Sequence, residues 1–491
     1  MTPLPPAYFG LEPAAVWQHF GALNQIPRPS GQEDAARAYV QHMAQNHGAT
    51  WQTDARGNLV VRVAAREARG DAPIVTLQSH LDMVCQKRPD VAHDFNLDPI
   101  VPRRDGDKIF ALGTTLGADN GIGAAMMLAI LTNPPTRHGP LELLFTVEEE
   151  TGLFGAAHLD GQLVRGRLLV NLDSEEGDEI TVGCAGGATT NLFLPVARVA
   201  VTPNFVTSRI NVGGLQGGHS GVQIGGNLGN AIKILGQILS ATSENCDLRL
   251  IGIDGGTAHN AIPRDAWAEV SVPAEQKEAS QAAFAHVAHE IKARWRAFEP
   301  DLHLEHEQSA LPDNSSPLSL ADTTKVLGLL RDLPHGVAKM SARFEGKVQT
   351  SSNLAEVHGG PESEEVAFSV SNRSFVADEL QEMQQKVADL GRAAGARVEA
   401  RDGYPGWEPR GDSPLLQTAM RAFESVMGKA PHIEVVHAGL ECGLLCEKLL
   451  DLDAVSFGPL IRGAHTPEEW VSIPSTAENF AVLNTLLEEL A

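Results

Sequence analysis

The chain has 491 residues and a formal charge of −24, from 62 acidic against 38 basic side chains, which argues against nucleic acid or an anionic membrane surface as a partner. Its length exceeds one compact core, so two or three domains are expected. Five cysteines, an odd number whose one close pair is Cys442 and Cys446, do not resemble a disulfide framework and fit a reducing cytoplasm. The start MTPLPPAYFGLEP lacks the basic end and apolar stretch of a signal peptide, and no apolar run reaches membrane-spanning length.

In chain order, Ser30-Gly31-Gln32-Glu33 has the form of a capping box opening a helix. Tyr39, Val40 and Met43 recur there at helical spacing, and Gly48 supplies a stop. Short apolar runs follow at Leu59–Val63, Ile74–Leu77, Leu141–Val147 and Leu168–Leu172. A helix over about Ile122–Leu131, ended by Asn133-Pro134-Pro135, lies between the second and third. This alternation predicts an α/β fold with a mixed, mainly parallel sheet flanked by helices.

Near Ala185-Gly186-Gly187 the character changes. Strand-like Ser208–Val212, Leu248–Ile253 and Trp267–Val272 alternate with helices at Asn230–Ser240 and Gln276–Ala293. A second round of similar length, from about Leu320 to Glu399, holds a helix at Asp378–Ala394. Residues 187–399 read as an inserted α+β domain, the repeat of topology suggesting two small units, between catalytic parts 1–186 and 400–491. The α/β style resumes with a helix at Ser413–Met427 and a strand at Ile433–Val436, ahead of the segment carrying His465.

Ligands of parallel sheets bind beyond the carboxyl ends of strands. His80, the pair Glu149-Glu150 and Asp173 each fall at such an end. In His80-x-Asp82 both side chains point to one side of an extended segment, so a carboxylate can hold one imidazole N–H while the other nitrogen binds metal. The alternative is a satisfied histidine at a strand end. Asp119 lies in a glycine-rich turn, Gly113 to Gly123, without the Gly-Lys-Ser/Thr of a phosphate loop. A carboxylate bridging two cations fits that turn better than an anion cradle, and a plain turn aspartate is the other reading.

Glu148-Glu149-Glu150 follows the apolar Leu143–Val147, where three carboxylates repel unless solvent or a cation relieves them. The division expected is Glu150 on metal and Glu149 as general base, taking a proton from metal-activated water and returning it to the leaving amine. Asp173 and His465 complete the set, with Glu175 and Glu176 as substitutes for Asp173. No Gly-x-Ser-x-Gly elbow occurs, and no cysteine sits in an evident nucleophile signature, so a serine or cysteine hydrolase is the weaker class.

Taken together, Ser79–Val84, Leu116–Gly123, Glu149–Gly152, Asn171–Asp173, Gly217–Gly221, His437–Gly443 and Gly463–Thr466 resemble the dizinc metallopeptidase superfamily of aminoacylases, glutamate carboxypeptidases and di- and tripeptidases. The resemblance runs nearly end to end. It implies a zinc-peptidase-type catalytic domain split by a lid domain, and two divalent metal ions bridged by Asp119. One ion would add His80 and Asp173, the other Glu150 and His465. Asp82 would orient His80, and Glu149 would act as base and acid.

Among lid residues, the resemblance makes His219 a donor toward the carbonyl oxygen. Asn260 becomes a substrate contact and Arg373 the holder of a terminal carboxylate, a surface ion pair being the alternative for Arg373. Glu441 would touch the substrate amine or serve a structural hydrogen bond. The implied activity is hydrolysis of dipeptides with free termini, Xaa-His dipeptides such as β-alanyl-histidine included. An N-acyl amino acid deacylase, a tripeptidase or a non-catalytic peptide-binding relative are the alternatives. Zinc is the default metal, manganese or cobalt the substitutes. Whether His219 serves its own site or that of a partner in a homodimer stays open.

Overall fold

The apolar runs of the first part of the chain pair side by side. The computed structural model of the protein describes residues 4–200, 204–309, 311, 315–401 and 403–491. In it Leu141–Thr146, Val75–His80, Leu168–Asn171 and Asp453–Ser456 form a parallel core in that order. On one side Leu59–Val63 runs antiparallel to Leu141–Thr146, and Thr50–Thr53 beyond it runs antiparallel to Leu59–Val63. Glu179–Cys184 and His432–Val436 extend the other. Leu141–Thr146 and Val75–His80 are buried at every position, polar Gln78, Ser79 and Glu142 included, as strands covered on both faces are. The α/β expectation therefore holds, with the parallel strands confined to the centre.

The predicted helix at 122–131 is the inner part of Ala118–Thr132, nearly all of it buried. It approaches the sheet closely at Gly123, where a Cβ would stand 2.6 Å from the Leu172 carbonyl oxygen. This contact sets the start of the helix beside the strand end that leads to Asp173. The helix expected after Ser30 is present as Asp34–Asn46, but no capping box forms. Instead Glu33 Oε1 accepts from the N–H groups of Gly31 (2.8 Å) and Glu148 (3.0 Å), and Ser30 Oγ donates to Asp82 Oδ2 at 2.7 Å. Both side chains are spent on loops at the sheet edge rather than on their own helix.

The chain divides into two compact units. The first is the stretch to Cys184 with Trp407–Val435 and Leu440–Ala491. Besides the main sheet it holds a small antiparallel one, ordered Ile461–Arg462, Trp470–Ser472, Lys108–Ala111, Pro102–Asp105.

The second unit is Ala185–Gly406 with Val436–Gly439. It is wider than 187–399 because Gly187 bridges to Tyr404 and a short loop after the strand His432–Val436 returns to it. Apart from a two-stranded ribbon, its strands make one antiparallel sheet ordered His303–Gln308, Phe205–Gly213, Ala266–Pro273, Arg249–Gly255, Val348–Gly359, Glu365–Ser374, Gly186–Pro195 and Arg397–Ala400, with Gly336–Met340 beside Val348–Gly359. Two four-stranded stretches meet where Ile253–Gly255 pairs with Val357–Gly359. Helices Ala231–Ser243, Lys277–Trp295, Leu320–Asp332 and Ala377–Ala394 all contribute to one buried cluster with these strands. Among the described residues, no helix is long and apolar enough to cross a membrane.

His19 sits inside the first unit with both ring nitrogens engaged, Nδ1 with Tyr39 Oη at 2.8 Å and Nε2 with Thr132 Oγ1 at 3.0 Å. Burial, with His47 nearby, lowers its pKa from 6.5 to about 4. The unfolded chain therefore takes up this proton first, and folding stability contributed by neutral His19 is lost as pH falls from 6.5 to about 4. We expect the denaturant-derived unfolding free energy of the parent to fall more steeply over that window than that of His19→Gln. Parallel curves for the two proteins would contradict this.

Candidate active site

His80 closes the strand Val75–His80, Glu148–Glu150 follow Leu141–Thr146, and Asp173 lies two residues past Leu168–Asn171. Three neighbouring parallel strands thus deliver imidazole and carboxylates to one edge. Asp119 comes from the opening turn of Ala118–Thr132, where its backbone is not yet helical. His465 comes from the turn between Ile461–Arg462 and Trp470–Ser472, in the left-handed region at φ 64°. A non-glycine residue is held there only when its surroundings over-determine it.

These side chains converge around Asp119. Its Oδ1 lies 3.1 Å from His80 Nε2, and its Oδ2 lies 3.1 Å from His465 Nε2. On the first side Asp173 Oδ1 is 3.5 Å from His80 Nε2. On the second, Glu150 Oε2 is 3.1 Å from His465 Nε2. These are hydrogen-bond spacings, and they are also compatible with ligands of one tetrahedral zinc, which stand roughly 3.3 Å apart. Ligand atoms of His80, Asp119 and Asp173, of His80, Glu149 and Glu150, and of Asp119, Glu150 and His465 each lie within 4.8 Å of one another. Glu150 Oε1 and Asp173 Oδ1 are buried without a hydrogen-bond partner.

Proton affinities reflect this crowding. Burial alone would strip His80 of its proton, but Asp173, Asp119 and Asp82 hold its pKa well above the ordinary value. Contacts with Asp119 and Glu150 push His465 up to about 11. Burial raises Asp173 to about 6 against the pull of His80, and raises Glu175 to about 8 with help from Asp119 and Asp173. Burial likewise lifts Glu149 well above its usual range, opposed by His80 and reinforced by Asp173, Glu441 and Glu150. Such a cluster holds protons where cations would otherwise sit, and metal binding releases them. The donor set, imidazole and carboxylate only, suits zinc and also manganese or cobalt.

Asp82 is fully buried behind His80. Its Oδ1 is 3.4 Å from His80 Nδ1, while its backbone oxygen lies 3.1 Å from the same nitrogen. The carboxylate also accepts the N–H groups of Glu149 (3.1 Å) and Glu150 (3.2 Å). Burial works against its charge, yet His80, Ser30 and the Glu149 N–H bring its pKa down to about 2. Glu441 is buried in the same unit, its Oε2 accepting from Gln78 Nε2 (2.6 Å) and Thr146 Oγ1 (2.7 Å). These bonds tie Glu441 to two strands, while its Oε1 has no hydrogen-bond partner. Burial raises its pKa to about 7.

His219, Asn260 and Arg373 belong to the second unit. His219 lies in the two-stranded ribbon of Gly218–His219 and Ala261–Ile262, Asn260 directly precedes its second strand, and the Asn260 carbonyl accepts from Ser220 N–H at 2.8 Å. His219 Nδ1 accepts from the N–H groups of Gly221 (3.2 Å) and Val222 (3.1 Å). Its proton therefore resides on Nε2, which makes that nitrogen a donor. Burial, then Arg373 and His259, lower its pKa and keep it neutral.

Arg373 is buried, not a surface group, and its Nη1 donates to Tyr404 Oη at 2.5 Å while Nε has no hydrogen-bond partner. The Arg373 Nε, the His219 ring and the His437 carbonyl all crowd the position that a Cβ on Gly221 would take. The sequence reading missed Tyr404, Ser30 and two buried charges, Arg28 and Glu469. Arg28 stands between two prolines and Glu469 ends the His465 segment, but neither position alone signals burial.

The sequence model of "Peptidase family M20/M25/M40" matches residues 76–489. The chain is 38% identical over 480 residues to the "Cytosol non-specific dipeptidase" of Escherichia coli (strain K12), covering 98% of each protein. It resembles the crystal structure of the aminoacylhistidine dipeptidase of Vibrio alginolyticus with a TM-score of 0.92, 36% identity and 98% coverage of each chain. The aminopeptidase PepT of Bacillus cereus, at 16% identity, TM-score 0.56 and coverage of 98% and 99%, shares the fold. With a family match over most of its length and its imidazoles and carboxylates gathered at one sheet edge, the chain belongs to peptidase family M20/M25/M40.

Proposed function

We propose that the protein is a dimetal dipeptidase that hydrolyses dipeptides with free termini, Xaa-His dipeptides such as β-alanyl-histidine among them. The dimetal part is carried by one observation: the two oxygens of Asp119 face two different imidazoles, each with a further carboxylate of its own. His80, Asp173 and Asp119 would hold one ion, and His465, Glu150 and Asp119 the other. A bound pair of such ions polarises a peptide carbonyl and brings the pKa of water toward neutrality, roughly 7 in zinc sites. Zinc is the expected metal. The dipeptidase part is supported by the two relatives above, named for dipeptide hydrolysis and similar over 98% of this chain. A cytoplasmic location is supported by the five free cysteines and the name of the Escherichia coli relative.

The chain's own groups divide the work. Glu149 is crowded by carboxylates and has a raised proton affinity, which suits it to take a proton from water and return it to the departing amine. Asp82 fixes His80 on one side and the Glu149–Glu150 backbone on the other, so one buried carboxylate sets the positions of a ligand and the base. His219, with its proton on Nε2, is the donor proposed for the carbonyl oxygen as negative charge develops there. The Arg373 guanidinium, desolvated and still short of partners at Nε, is the proposed holder of the terminal carboxylate, with Asn260 a further contact.

A panel of dipeptides, tripeptides and N-acylated amino acids, assayed before and after chelation, tests this reading. Cleavage of dipeptides including β-alanyl-histidine, abolished by chelator and restored by zinc, is the expected pattern. Preferred cleavage of acylated substrates, or activity indifferent to chelation, would overturn it. Glu149→Gln should keep about two ions per chain by metal analysis yet lose about a hundred- to ten-thousand-fold in kcat. Unchanged kcat would remove Glu149 from its role.

A further inference from the structure

The segment 116–119 that delivers Asp119 has a capping problem. The first N–H groups of a helix lack intrahelical acceptors. Here the residue ahead of the helix, Gly117, is left-handed at φ 70° and offers no side-chain cap. The acceptors come from a residue 350 positions later. Glu469 Oε2 accepts from Leu116 N–H (2.6 Å) and Gly117 N–H (2.9 Å), and its Oε1 from Ala118 N–H (2.7 Å) and Asp119 N–H (3.2 Å).

Resting on the dimetal reading above, we infer that Glu469 is a positioning residue for the metal centre, tying the backbone of Asp119 to the turn that carries His465. Glu469 lies four residues beyond His465 in one continuous turn, closed by Thr466 N–H to Gly463 O and Glu469 N–H to Thr466 O, both 3.1 Å. Any shift of one ligand is thereby communicated to the other. Glu469 itself is 2% exposed and both its oxygens are spent on backbone N–H groups, so it is not a ligand.

A second buried charge acts on the same segment from the opposite side. Arg28, also 2% exposed, donates through Nη2 to Gly117 O (2.6 Å) and through Nη1 to Leu81 O and Asp82 O (3.0 Å each). The N–H of Gly117 is thus held by an anion and its carbonyl by a cation. Arg28 extends the tie to the His80–Asp82 segment.

The chemistry demands a carboxylate at 469. Four donors need four acceptor sites on two oxygens, which an ionised carboxylate supplies and an amide does not. Glutamine would turn an NH2 group toward two backbone N–H groups. Placing one more negative charge beside Asp119 is costly in an already acidic site, and four charge-assisted hydrogen bonds offset part of that cost.

The test compares full-length parent, Glu469→Gln, Glu469→Asp and the exposed neighbour control Glu468→Gln, each loaded with zinc. Ions retained per chain and their release half-times against a chelator are followed with a zinc-sensitive dye. Thermal midpoints of the chelated proteins are read in parallel. The expected result is release of one ion about ten- to a hundredfold faster from Glu469→Gln, with the second ion held longer. Glu469→Asp should be intermediate, because it keeps both acceptor oxygens on a shorter arm, and Glu468→Gln should match the parent. If Glu469→Gln does not fold, the intermediate release rate of Glu469→Asp carries the test. Parent-like release of both ions from the variants, even with lowered midpoints, would reduce Glu469 to a helix cap and overturn the inference. A parent that takes up no zinc pair would sink the dimetal reading instead.

Discussion

The first unit is organised around a repulsion. Asp119, Glu149, Glu150 and Asp173 gather at one sheet edge with two imidazoles between them, and two carboxylate oxygens there are buried without a hydrogen-bond partner. Like charges this close raise one another's pKa or require cations. Protons relieve the cluster in part, as the raised values of His80, His465 and Asp173 indicate. The arrangement, with each Asp119 oxygen facing its own imidazole, is the one a pair of cations would relieve most fully.

The fold supplies that crowding from rigid parts. Parallel strands end together at one edge, so His80, Glu149, Glu150 and Asp173 arrive there without long loops. Buried side chains then lock the connections. Asp82 fastens His80 to the Glu149–Glu150 backbone, Glu33 takes the Glu148 N–H, and the approach of Gly123 to Leu172 sets the helix start against the strand end. Most of these bonds join a charged side chain to backbone, which fixes loop geometry without consuming the ligand atoms.

Much of this was legible in the sequence. Leu59–Val63 emerged with the expected bounds, and the runs around Val75, Leu141 and Leu168 shifted at their ends by one to three residues, because short apolar-rich runs mark buried strands while polar residues at strand ends can be buried too. The acidic residues at their ends pointed to a shared site. Ser30-x-x-Glu33 misled, because a capping motif is local and both side chains found better acceptors or donors across the fold. Arg28 and Glu469 were illegible for a related reason. Their partners are backbone groups, which carry no residue identity, and burial of a lone charge is set by tertiary packing. The tautomer of His219 likewise follows from two backbone N–H groups that no motif reveals.

The central proposal is that Asp119 would join two cations. X-ray absorption at the metal edge of the zinc-loaded protein tests it most directly. The account predicts a metal–metal scattering shell at about 3.5–4 Å, the spacing of two-metal sites, which disappears in Asp119→Ala. A single isolated ion per chain, or a metal–metal shell that persists without the Asp119 carboxylate, would contradict it.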